Sequence, residues 1–140
     1  MKELEIAKQQ LLEGDYTCVI CNGEDMHYST FRGVKPLVQW LDQNLDAKDA
    51  YAADKVIGRA TAFLYVLLEV KAVYAHVISK PALAVLEENQ IRVQYGTLVD
   101  NIINRKGTGI CPFEETVLNI SEPQEAYQAI RQKMIEMNIQ

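Results

Sequence analysis

The chain lacks a second cysteine pair. Its three cysteines, Cys18, Cys21 and Cys111, include one C-x-x-C spacing, "CVIC", and nothing that completes a four-cysteine zinc site. That word sits in the β-like run "YTCVICNG". Residues three apart on a strand point to opposite faces, so Cys18 and Cys21 read as reduced core thiols and not as a metal clamp or a redox pair. A long apolar run is also missing: the longest, residues 62–68, is far too short to span a bilayer, so no membrane partner is expected. No basic stretch followed by an apolar one opens the sequence, which points to a cytoplasmic protein. Lys and Arg number 14 against 19 Asp and Glu, a formal net charge of −5. These cations are dispersed, whereas phosphate neutralisation needs them clustered, so no nucleic-acid partner is expected. The two histidines, His27 and His76, do not build a Ser-His-Asp or H-E-x-x-H arrangement. Linkers, repeats and low-complexity segments are absent, and 140 residues suffice for one core; the expectation is a single domain over 1–140.

What is present is a regular alternation of elements. "KELEIAKQQLLEG" places Leu4, Ala7, Leu11 and Leu12 at helical spacing and stops at Gly14. "YTCVICNGEDMHYSTFRG" reads as a hairpin, with strands over about 16–21 and 26–32 around "NGED". "KPLVQWLDQNL" is a short helix with Pro36 in its first turn and Trp40 on its apolar side. Asp54 then serves as N-cap of a helix running to about Glu69, apolar all round and therefore buried. "VKAVYAHVIS" is a strand covered on both faces, on which His76 reads as a hydrogen-bonded core residue. "KPALAVLEEN" is a helix, and "IRVQYGTLV" is a strand near 91–95 followed by a turn. "NRKGTGICPF" is a Gly-rich loop, "TVLNI" a fifth strand, and Ser121 caps the last helix. The hairpin implies an antiparallel edge and the crossover over 70–95 a parallel pair. The expected architecture is α/β: three αβα layers around a mixed five-stranded sheet.

This order resembles the cytidine deaminase fold. There, one site helix opens with His/Cys-x-Glu and the next with Pro-Cys-x-x-Cys, together supplying the zinc ligands and a proton shuttle. On this chain the first motif falls at Ala53–Asp54–Lys55–Val56 and the second on "PALAV", with Ala82 and Val85 in place of the cysteines. The resemblance therefore implies a cytidine-deaminase-like scaffold without zinc, and no metal or other cofactor. More closely, the chain is similar to a small bacterial family, a domain of unknown function with that fold. Its recurring words are carried here by Asp54, Lys55, Gly58, Arg59 and Ala60, and by Cys111, Pro112 and Glu114. The family contributes a fold and no activity.

Two functional readings follow. In the first, the domain is a non-catalytic module that binds a small anionic or polar metabolite at the mouth of the helix starting at Asp54. A helix N-terminus favours anions, and Gly58 admits a close approach. Arg59 and Glu114 are further candidate ligand-binding residues, and Arg105, Lys106, Gly107 and Gly109 offer a weak backbone cradle for a phosphate or carboxylate. In the second, it is a zinc-independent enzyme with Cys111 as nucleophile or carrier, Lys55 as its charge partner and Asp54 as acid–base group. Loss of every zinc ligand favours the first. A homodimer is the default assembly.

Overall fold

Leu4, Ala7 and Leu11 recur at helical spacing, and helix α1 (Lys2–Glu13) forms over them and buries all three. The computed structural model describes residues 2–104 and 106–139. After α1 the chain enters a hairpin of β1 (Cys18–Asn22) and β2 (Asp25–Ser29), paired antiparallel with Cys18 opposite Ser29. The turn between them needs a left-handed residue, and Gly23 supplies it at φ +65°. Helix α2 (Lys35–Asp42) follows, with Pro36 in its first turn.

The next segment departs from expectation. Residues Tyr51–Ile57 form strand β3, not the approach to a helix, and Asp54 lies inside that strand. Helix α3 begins only at Arg59 (Arg59–Leu68), with Gly58 as its N-cap in extended conformation. Its burial is as expected: seven of its ten residues are inside. Strand β4 (Ala72–Ser79) lies parallel to β3, and helix α4 (Lys80–Glu88) is capped by the Ser79 side chain, which accepts from the Ala82 amide at 3.2 Å. Strand β5 (Arg92–Val99) runs parallel to β4 and is longer than the pattern predicted. "TVLNI" is not a strand: Pro112–Thr116 is a short helix, α5, and the apolar residues after it belong to turns. The last helix, α6, spans Pro123–Glu136, and its N-cap position is Glu122, not Ser121, with no side-chain cap.

The strands make one mixed five-stranded sheet in the order β2-β1-β3-β4-β5, with an antiparallel hairpin at one edge and three parallel strands beyond it. Helix α1 covers one face, packing on Val19, Cys21, Ala53, Ala72 and Tyr74. The other five helices build a larger core on the opposite face, around Cys18, Ile20, Ala52, Phe63, Leu86 and Ile130. Cys18 and Cys21 thus point to opposite faces and are both buried, as strand alternation requires. Among the described residues no helix is long and apolar enough to cross a membrane.

Candidate functional site

The mouth of α3 has an occupant from the chain itself. Glu114, in the first turn of α5, turns its carboxylate onto the start of α3. Its Oε1 accepts from the Arg59 amide at 2.7 Å and its Oε2 from the Ala60 amide at 3.0 Å. These are two of the N–H groups that a helix start leaves without partners, and the anion also meets the positive end of the helix dipole. Glu114 is buried, so those amides replace hydrogen bonds that water would otherwise give its carboxylate oxygens. Gly58 makes the contact possible: a Cβ there would lie 2.6 Å from the Glu114 carboxyl carbon. Arg59 fastens the same segment from the other side, donating through its guanidinium to the carbonyls of Val117 and Ile120. The two sequence words around Gly58–Ala60 and Cys111–Glu114 therefore meet in one structural contact.

Asp54 lies on the neighbouring strand and faces inward, beneath α3. Its Oδ2 is 2.7 Å from the Tyr65 hydroxyl, its Oδ1 accepts from the Val56 amide at 3.3 Å, and the Cys18 sulfur lies 3.1 Å from the same hydroxyl. All three side chains are buried. Burial pushes the Asp54 carboxyl up to about 7, although its hydrogen bonds pull it down. Burial also raises the Cys18 thiol and the Tyr65 hydroxyl well above their usual values, with the Asp54 charge adding to both, so both are neutral. When Asp54 is ionised, Tyr65 donates to it and Cys18 donates to Tyr65. When Asp54 is protonated, the chain of donors can run the other way.

The proposed catalytic groups are not joined. Lys55 follows Asp54 on a strand, so its side chain leaves from the opposite face and is exposed. Cys111 holds the N-cap position of α5, half-buried, its carbonyl accepting from the amides of Glu114 and Glu115. Among the described residues no hydrogen bond or ion pair links the Lys55 side chain to Asp54 or Cys111. The expected cradle is a tight turn in which Asn104 takes up the amides of Gly107 and Thr108. Lys106, Gly107 and Gly109 are exposed there, and Arg105 lies outside the described residues. His76 is exposed rather than in the core, past the reach of α1. Ala82 and Val85 are buried on α4, and no group of three or more His, Cys, Asp or Glu suited to a metal ion occurs among the described residues.

A concave site lies elsewhere, between the end of β2 and α2. It is a cleft of about 220 Å³ lined by Tyr16, Tyr28, Ser29, Thr30, Phe31, Pro36, Gln39 and Trp40. The Thr17 hydroxyl, with one proton to donate, lies within hydrogen-bond reach of the carbonyls of Ser29 and Phe31, two residues of the cleft wall. The rings of Tyr16 and Tyr28 lie against each other with centroids 4.4 Å apart, tilted by 31°. The tyrosine hydroxyls, the Gln39 amide and the Trp40 indole N–H have no side-chain hydrogen bond among the described residues. Sequence reasoning missed this site because Trp40, which packs against the larger core as its place on the apolar side of α2 implies, also lines the cleft. The available signal was aromatic density: of one Trp, seven Tyr and three Phe, four line a cleft built from residues 16–40.

A mixed α/β sheet with helices on both faces defines the class. A family model for TM1506, a domain of unknown function (DUF1893), matches residues 6–134, and the chain belongs to that family. It is also similar to the crystal structure of a DUF1893 family protein (TM1506) from Thermotoga maritima, with 27% sequence identity and a TM-score of 0.86, over 94% of this chain and 90% of that one. Comparison with curated proteins gave no match.

Proposed function

We propose that this chain is a non-catalytic small-molecule-binding module whose ligand presents a planar ring to the aromatic cleft between β2 and α2. The observation that carries this reading is the cleft's lining: four aromatic rings and several hydrogen-bonding groups, with no ionised side chain among the lining residues. Ligand sites combine an apolar, largely aromatic wall with a few polar groups that fix orientation, and flat rings gain by stacking on aromatic faces. Binding of an anion at the mouth of α3 is less favoured, because Glu114 already fills it. The enzyme reading is less favoured because Lys55 and Asp54 leave their strand on opposite faces.

Trp40 is the single tryptophan and lies in the cleft, so its fluorescence reports occupancy directly. Adenosine, as an uncharged bicyclic probe, should quench or shift that emission saturably and raise the melting temperature. Tyr28→Ala should weaken the response. Failure of adenosine, nicotinamide and similar neutral rings to change emission or melting at millimolar concentration would remove the cleft as a ring-binding site.

A further inference from the structure

Phe31 in the cleft wall has two cations close by in the chain, Arg32 and Lys35, and Tyr16 across the lining has Asp15. In a chain of net charge −5, Arg32 and Lys35 both stand beside Phe31, and neither forms an ion pair among the described residues. Lys35 Nζ lies 3.9 Å from the centre of the Phe31 ring, which holds the ammonium at the lip of the cleft. Arg32 is exposed next to it. The carboxylates of the neighbouring helix end do not reach them: Asp42 is engaged by Arg131 and by the Tyr127 hydroxyl. The Phe31 side of the aromatic wall thus has two cations close to it that form no ion pair among the described residues.

We infer that the ligand is an anion: a planar heteroaromatic ring bearing a phosphate or carboxylate, with the ring against the aromatic wall and the anionic group at Arg32 and Lys35. This rests on the cleft being the ring site and adds the charge that selects among ring ligands. Arg32 would offer a forked contact to oxygens, and Lys35 a point charge that swings from the Phe31 face without unfolding anything. Exposed cations contribute modestly, so the selection for an anionic ring over its neutral counterpart is about tenfold at low salt, and salt erodes it.

The test compares adenosine with adenosine 5′-monophosphate on the intact chain by Trp40 fluorescence, at low and high salt, in wild type and in the Arg32→Gln/Lys35→Gln double variant. The expected result is about tenfold tighter binding of the monophosphate at low salt, an advantage that fades in high salt and vanishes in the double variant while adenosine binding is retained. Equal affinity for the two probes in wild type overturns the inference and leaves the ring site standing. An advantage that survives the double substitution also overturns it, because the anion then sits elsewhere. Absence of binding by both probes removes the ring site and the inference together. Melting temperatures of wild type and double variant, measured without probe, show whether the variant is folded. Should it not be, the single variant Lys35→Gln carries the same comparison.

Discussion

Replacing Asp54 with asparagine separates the carboxyl's charge from its hydrogen bonds. The buried carboxyl has its pKa pushed up to about 7, chiefly by desolvation. An unfolded Asp releases its proton near about pH 4. Between about pH 4 and 7 the folded protein therefore holds a proton that the unfolded chain has lost, and stability falls as pH rises through that window. Below about pH 4 both states are protonated and the penalty is absent; above about pH 7 it continues to accrue no further. A climb from about 4 to about 7 corresponds to about 4 kcal/mol of native stability. The substituted amide cannot ionise, yet its oxygen still accepts from Tyr65 or Val56. Urea unfolding of wild type and Asp54→Asn across about pH 4 to 8 should show the variant gaining on wild type by about 4 kcal/mol over that range, most of it between about pH 5 and 7. Other carboxylates titrate in both proteins and cancel in the difference. A difference that stays constant with pH would refute the assignment of a raised Asp54 pKa, whatever the variant's absolute stability.

Gly58→Ala should cost about 1–3 kcal/mol, because the new Cβ displaces the Glu114 carboxylate that caps α3. Glu114→Ala removes the same cap, so the double variant should lose much less than the sum of the singles in denaturant unfolding; additive losses would mean that Gly58 serves something else. Native-state alkylation read by mass spectrometry should label Cys111, the half-buried thiol, and leave Cys18 and Cys21 untouched until the protein unfolds. Early labelling of Cys18 would contradict its place under α3.

Much of the architecture was legible because periodicity and burial agreed. α1, the hairpin, the β4-α4-β5 crossover and the buried α3 all show a clear apolar pattern that their packing uses. β3 did not. Its sequence, "YAADKVI", carries two alanines and a charged pair, none of which favours strands on its own. The alanines are there because the strand is packed on both faces: Ala52 faces the core under α3, Ala53 faces α1, and both are fully buried. An Asp shortly before an apolar helix then imitated an N-cap, while the real cap, Glu114, sits 55 residues away and sends no local signal. "TVLNI" failed for the reverse reason, since a short apolar run looks the same whether it packs as strand, helix end or turn. At the site, the individual words were readable and their meeting was not. Glu114 was assigned to a ligand and turns out to stand where a ligand anion would.

The Glu114 clasp has a consequence for how the protein is made. All five strands have left the ribosome once Val99 has, and α3 long before that. Yet the Arg59 and Ala60 amides at the start of α3 lack their carboxylate partner until Glu114 arrives, and closing a segment of that length costs roughly 3–4 kcal/mol of chain entropy. A nascent chain that ends short of α5 owns the whole sheet but lacks the clasp and also Phe113, Ala126, Ile130 and Met134, which α5 and α6 add to the larger core. Synthesis order thus brings out the whole sheet before the carboxylate that caps α3.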